Sequence, residues 1–294
     1  KQVERMLADP KGQRFVSNFP RIWLELDNIG KMPPSKDFLI YYRDNLESAM
    51  RKETEHFFGH ILDKNLPLRE FLAADYSFLN RELAEHYGMP GLKGNHFRKV
   101  SLPDASRAGI LGHGSFLTAS ANGVDTSPVV RGIYVMNKLL NYTPPPPPDD
   151  VPAIEPDVRG ATTLREQLIK HRADATCAQC HNKIDPVGFA LENYDPIGGW
   201  RDQYDRKLKV DPSGKLPDGK TFASNAEFKK LVVAQEDTFT RCLTKKLLTY
   251  ATGRELNSSD RPSIDRISKE IAGNDKGLRD LIQSIVASES FMQN

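Results

Sequence analysis

The sequence predicts a mostly α-helical protein, a helical bundle followed by a second helical unit with a small β-hairpin. Three observations carry this. Apolar residues recur at three- and four-residue steps through residues 1–100 and again from Ala226 to Met292. Helix boundaries coincide with capping residues, prolines and glycines. A strand–turn–strand pattern occurs once, near Asp218.

Val3, Met6 and Leu7 precede Asp9-Pro10, after which Phe15, Phe19, Trp23 and Leu26 keep helical spacing. Met32-Pro33-Pro34-Ser35 breaks the pattern, with Ser35 as N-cap of the next helix. That helix carries Phe38, Tyr41, Tyr42, Leu46, Ala49 and Met50 on one face and continues through Phe57, Phe58, Ile61 and Leu62. Leu68 to Leu72 and Tyr76 to Tyr87 read as two shorter helices ended by Gly88-Met89-Pro90. Residues 1–100 thus form an N-terminal helical domain. From Gly91 to Asp157 the chain turns rich in Gly, Ser and Pro, with one helix expected from Ser127 to Leu140, its first turn admitting Pro128. Pro144 to Pro148 opens a stiff polyproline strut over 143–152 within a middle segment, 101–205. Thr163-Leu-Arg-Glu166 is a capping box opening a helix through Leu164, Leu168 and His171. In the last segment, 206–294, Lys207 to Val210 and Lys220 to Phe222 flank turn residues and predict the hairpin. Helices over Ala226 to Ala234, Phe239 to Thr252, Ser263 to Ala272 and Leu278 to Met292 follow.

The composition is that of a chain able to bury a core. Of 294 residues 38% are apolar and 27% charged. The 41 basic and 39 acidic residues leave a net charge of +2, with no electrostatic footprint for nucleic acid or an anionic membrane. No stretch approaches the ~18 apolar residues of a membrane-spanning helix. The chain starts at Lys1 without a leader, as expected of a processed protein or an excised fragment.

Two of the three cysteines fall in Cys177-Ala-Gln-Cys180-His181. Cys-x-x-Cys-His is the attachment sequence for one covalent haem c. Two intervening residues in a helical turn place both thiols to reach the two vinyl groups on one porphyrin edge. The imidazole of His181 then projects over the ring to bind the iron on the proximal side. Two other readings use the same residues. A zinc site would need a second ligand pair, and Cys242 stands alone in the sequence. A thioredoxin-like dithiol would open a helix after a strand, whereas a helix precedes this pair.

The chain resembles the planctomycete-type cytochrome c-like proteins built from consecutive domains of unknown function. The resemblance rests on Arg107-Ala-Gly-Ile-Leu, Thr126-Ser-Pro-Val-Val-Arg-Gly132, the proline run and His171-Arg to His181. It extends to Asp185-Pro-Val-Gly-Phe-Ala-Leu-Glu-Asn193 and Asp195-Pro-Ile-Gly-Gly-Trp-Arg201. Glu53-Thr, Ala74-Asp-Tyr-Ser-Phe-Leu-Asn80, Leu216-Pro-Asp-Gly219 and Leu247-Leu-Thr-Tyr-Ala-Thr-Gly-Arg254 carry it to both ends. It implies a helical cytochrome c-like haem domain, an exported protein and further domains N-terminal to this fragment. It implies no substrate.

The ligand opposite His181 decides the chemistry. His113, in the Gly-flanked run Leu111-Gly-His-Gly-Ser115, is the first candidate for the distal position, with Met136, His171 and Cys242 as alternatives. His171 is otherwise a hydrogen-bonding group at the haem edge, Met136 a core residue and Cys242 a small buried hydrophobe. Arg131 and Arg201 are candidates for the haem propionates, because a guanidinium fork matches a carboxylate; a salt bridge is the competing role. Trp200 and Tyr194 are candidates to pack on the porphyrin. His56 and His60, four apart on one helix face, would chelate a metal only with a third ligand such as Glu53. Lys183, Lys207 and Lys209 would orient a redox partner protein. The reading is an electron carrier that passes single electrons in an exported system, periplasmic or at the cell surface. The alternative is a haem enzyme with an open distal site acting on peroxide, dioxygen or an organic substrate. A third reading makes the haem a folding staple.

Overall fold

The computed structural model describes residues 2–31, 33–146, 163–204, 207–273 and 276–293, without the side chain of His171. Its centre is the helix Leu46–Lys64, whose residues Leu46, Met50, Phe57, Phe58, Ile61 and Leu62 are buried. The helix Gln13–Trp23 lies across it, with Phe58 meeting both Phe15 and Phe19 at 5.6 Å between ring centroids. Trp23 continues this aromatic stack to Phe71 and to Phe239 of the C-terminal segment.

The helix expected from Phe38 onward is two, Leu39–Arg43 and Leu46–Lys64, separated at Asn45, whose φ is 50°. An asparagine adopts that left-handed conformation at low cost and turns the chain there. Ser35 caps no helix; its hydroxyl donates to Asp37. Tyr76 to Leu79 is a β-strand, not a helix, paired antiparallel with Arg98–Ser101 so that Tyr76 faces Ser101 and Leu79 faces Arg98. Asn80 then caps a short helix, Arg81–His86, accepting from the Leu83 amide at 3.0 Å.

The helix Pro128–Lys138 starts on a Ser127 cap, and the helix Leu164–His171 on the complete Thr163–Glu166 capping box. Pro144–Pro146 has no regular structure, and the rest of the expected strut, from Pro147 to Pro152, lies outside the described residues. The helix Ala175–Phe189 packs antiparallel on Pro128–Lys138. A Cβ on Gly188 would meet the Pro128 carbonyl oxygen at 1.7 Å, and one on Gly132 the Ile184 carbonyl oxygen at 2.3 Å. Two glycines therefore let two backbones touch.

The hairpin pairs Gly214–Lys215 with Thr221–Phe222 around Pro217-Asp-Gly219. Its first strand begins after the one expected over Lys207 to Val210, where Lys209 instead bridges to Gln203. The last segment forms Asn225–Val233, Glu236–Thr252, Arg261–Ile271, Leu278–Val286 and Glu289–Met292. One hydrophobic cluster runs from Val16 through Phe57, Val135 and Leu191 to Phe239 and Ile285, so all three segments share a core. Among the described residues no helix is long and apolar enough to cross a membrane.

Candidate functional site

Asp174 opens the cysteine helix, Ala175–Phe189, by accepting from the amides of Thr176 and Cys177 at 2.7 and 3.2 Å. Cys177, Cys180, His181, Ile184 and Asp185 then follow at helical spacing and share one face. The face descends into the protein: Cys177, Cys180 and His181 are half-buried, Ile184 and Asp185 buried. Cys180 packs against the main core, and both thiols are reduced. Burial, and then the Asp174 carboxylate, push the Cys177 thiol up, so it stays protonated at neutral pH.

His181 is held from beneath. Its Nδ1 lies 2.9 Å from Oδ1 of Asp185, one helical turn on. A carboxylate only accepts, so Nδ1 carries a proton and donates to it, and Nε2 lies on the other side of the ring. The other oxygen, Oδ2, makes no hydrogen bond among the described residues, and the Arg172 guanidinium stands 3.6 Å from it. Two half-buried thiols three residues apart, with an adjoining imidazole presenting Nε2, are the donor set that haem c requires. On the segments around this helix, Val130, Ile133, Tyr142 and Ile169 are more than a third exposed. Among the described residues no group of three or more His, Cys, Asp or Glu gathers as a metal cluster would.

The other candidate residues go elsewhere. Of the two roles weighed for Arg131 and Arg201, the structure forms the salt bridge, with buried Glu192. Arg131 Nη1 is 3.4 Å from Glu192 and donates to the carbonyls of Leu191 and Tyr194, while Nη2 donates to that of Asp195. Arg201 donates to Glu192, to its carbonyl and to the Thr126 hydroxyl. A buried carboxylate demands such pairing, and both guanidinium groups supply it. Tyr194 is fully buried and Trp200 meets it edge-on at 5.3 Å, its indole donating to Asp202. Met136 belongs to the core. Cys242 is buried with its thiol toward the carbonyls of Asn137 and Lys138, and burial pushes its pKa up. The side chain of His171 lies outside the described residues. Lys183, Lys207 and Lys209 are exposed.

His113 is fully enclosed. Its Nδ1 bonds Thr54 Oγ1 at 2.9 Å and its ring abuts Phe57 edge-on at 4.7 Å, both contacts going to the Leu46–Lys64 helix. Burial, with Lys229 and Arg107 adding, pushes its pKa down to about 3. His56 packs on Phe78 and Phe97, and His60 on Tyr76 and Phe78. Glu53 turns away from both into the core, where Ser77 and Tyr87 each donate to it at 2.6 Å and burial raises its pKa to about 7. Sequence reasoning missed two buried carboxylates, Asp185 and Glu192. Asp185 was legible in the four-residue step from His181.

Three domain families match in succession. Residues 1–89 match a protein of unknown function (DUF1592), residues 107–204 another (DUF1588) and residues 218–291 a third (DUF1585). The cysteine helix falls within the second. Neither the comparison with curated proteins nor that with solved structures finds a match.

Proposed function

Because the chain belongs to the planctomycete-type cytochrome c-like proteins, which carry these domains consecutively, we propose that it is a monohaem c-type cytochrome of an exported redox system. Cys177 and Cys180 would hold the haem through thioethers, and His181 would bind its iron through Nε2. A bound haem supplies a one-electron ferric–ferrous couple. The single observation that carries the reading is the half-buried face on which two reduced thiols adjoin an imidazole whose Nδ1 is already engaged by Asp185.

The chain's own residues do the rest. Asp174 fixes the first turn, so that Cys177 and Cys180 point the same way. Gly132 and Gly188 seat the helix against Pro128–Lys138. Exposed Lys183, Lys207 and Lys209 offer positive charge to a redox partner protein. Thioether formation depends on maturation machinery outside the cytoplasm, hence a periplasmic or cell-surface location. His113 remains the first candidate for the ligand opposite His181, since Thr54 engages its Nδ1 and its Nε2 has no hydrogen bond among the described residues, with Met136, His171 and Cys242 as alternatives.

The test is expression in a host competent for c-type maturation. Intact mass should show one added haem per chain, and replacing both Cys177 and Cys180 by Ala should abolish it. The absence of added mass in the unaltered chain overturns the proposal. A low-spin spectrum indifferent to carbon monoxide supports electron transfer, and a high-spin spectrum that takes up carbon monoxide favours the haem-enzyme reading. With His113 as the distal ligand, His113→Ala should convert a low-spin spectrum to a high-spin one, and an unchanged spectrum removes that assignment.

A further inference from the structure

We infer that Asp185 is a positioning residue for His181 and that its charge, moderated by Arg172, sets the reduction potential of the iron that His181 binds. The inference rests on the haem reading above, but it concerns side chains already in place.

Asp185 is completely buried, and its hydrogen-bond partner is the His181 ring. Among the described residues its second oxygen is without a hydrogen bond, and Arg172, about one-fifth exposed, faces it at 3.6 Å rather than closing on it. Burying a carboxylate so sparsely paired is unfavourable unless it gains a strong donor. An imidazole polarised at Nε2 by a metal is such a donor, because coordination makes the Nδ1–H more acidic. Reciprocally, a carboxylate that accepts from Nδ1 increases the electron density that Nε2 delivers. That density favours the ferric over the ferrous state and lowers the potential. A neutral acceptor in the same place would do so less.

Arg172 acts in the opposite sense. It sits at the end of the Leu164–His171 helix, and its positive charge drains the Asp185 oxygens and disfavours the ferric site. The capping box at Thr163 and the cap at Asp174 fix the two helix starts that bring Arg172 and Asp185 together.

The proposal predicts shifts of opposite sign. In the haem-loaded protein, Asp185→Asn should favour the ferrous state by about tenfold at fixed potential, a rise of about 59 mV for a one-electron couple. Arg172→Gln should move the potential downward. Both are read by spectroelectrochemical titration, after intact mass has established one haem per chain and far-ultraviolet circular dichroism an unchanged fold. A purely structural role for Asp185 would destabilise the chain without ordering the two potentials in this way. If Asp185→Asn loads haem and keeps the potential of the unaltered protein, or lowers it, the inference fails. If that variant does not fold, the direction given by Arg172→Gln decides, and an unchanged or raised potential overturns it. A wild-type chain that acquires no haem overturns the parent reading instead, on the mass measurement alone.

Discussion

At the scale of single residues, the centre of the protein holds ionisable groups in forms that water would not favour. Glu53 ionises near 7 rather than its ordinary 4.5 because burial outweighs the hydrogen bonds from Ser77 and Tyr87. The folded chain therefore holds this proton over a range where the unfolded chain has lost it. Its stabilising effect is complete below pH 4.5 and disappears as the pH rises to about 7. His113, lowered from 6.5 to about 3, works oppositely: it costs stability as the pH falls from 6.5 toward 3. Glu53→Gln removes the first effect alone. Measured by urea unfolding, this variant should gain stability relative to the unaltered protein as the pH rises from 4.5 to 7, and the difference should be flat below that window. A difference independent of pH would show that Glu53 is ionised in the fold.

At the scale of elements, the seat of the cysteine helix depends on two glycines. A methyl group at 188 would enter the Pro128 carbonyl oxygen, which is backbone and yields only if the helices separate. Gly188→Ala should therefore cost about 3 kcal/mol, the upper range for overpacking a tight contact. A shift in the denaturant midpoint checks this, and a loss below about 1 kcal/mol would mean the helices are not so closely seated. The same substitution should also lower the yield of haem-loaded protein, since it displaces the helix that carries Cys177, Cys180 and His181.

At the scale of the molecule, the three family segments interlock rather than follow one another as separate bodies. The Leu46–Lys64 helix ends at Asn65, in the left-handed conformation, leaving carbonyls without helical partners. Arg279, more than two hundred residues away, donates to the carbonyls of Leu62 and Asp63 at 2.8 Å. Asn65 in turn bonds the Arg279 amide and the Asp280 carboxylate. Arg279→Ala should cost about 2 kcal/mol, as expected when hydrogen bonds from a charged donor are lost. Because the core is continuous, that loss should appear in hydrogen exchange of the slowest amides of Leu46–Lys64 and Leu278–Val286 alike. Loosening confined to the C-terminal helices would instead indicate separate folding units.

What the sequence settled by itself was local. Cys-x-x-Cys-His and the Thr163 capping box each depend on neighbours a few residues away, and the capping box forms where the spacing places it. Tyr76 to Leu79 escaped that reading because the strand it pairs with, Arg98–Ser101, lies some twenty residues on. Likewise, no local pattern tells Arg131 that Glu192 will be buried beside it, or tells His113 that Thr54 and Phe57 will enclose it. Spacing along a helix fixes which side chains share a face. Only the packing of distant segments fixes which face loses its water, and so which charges must find partners inside.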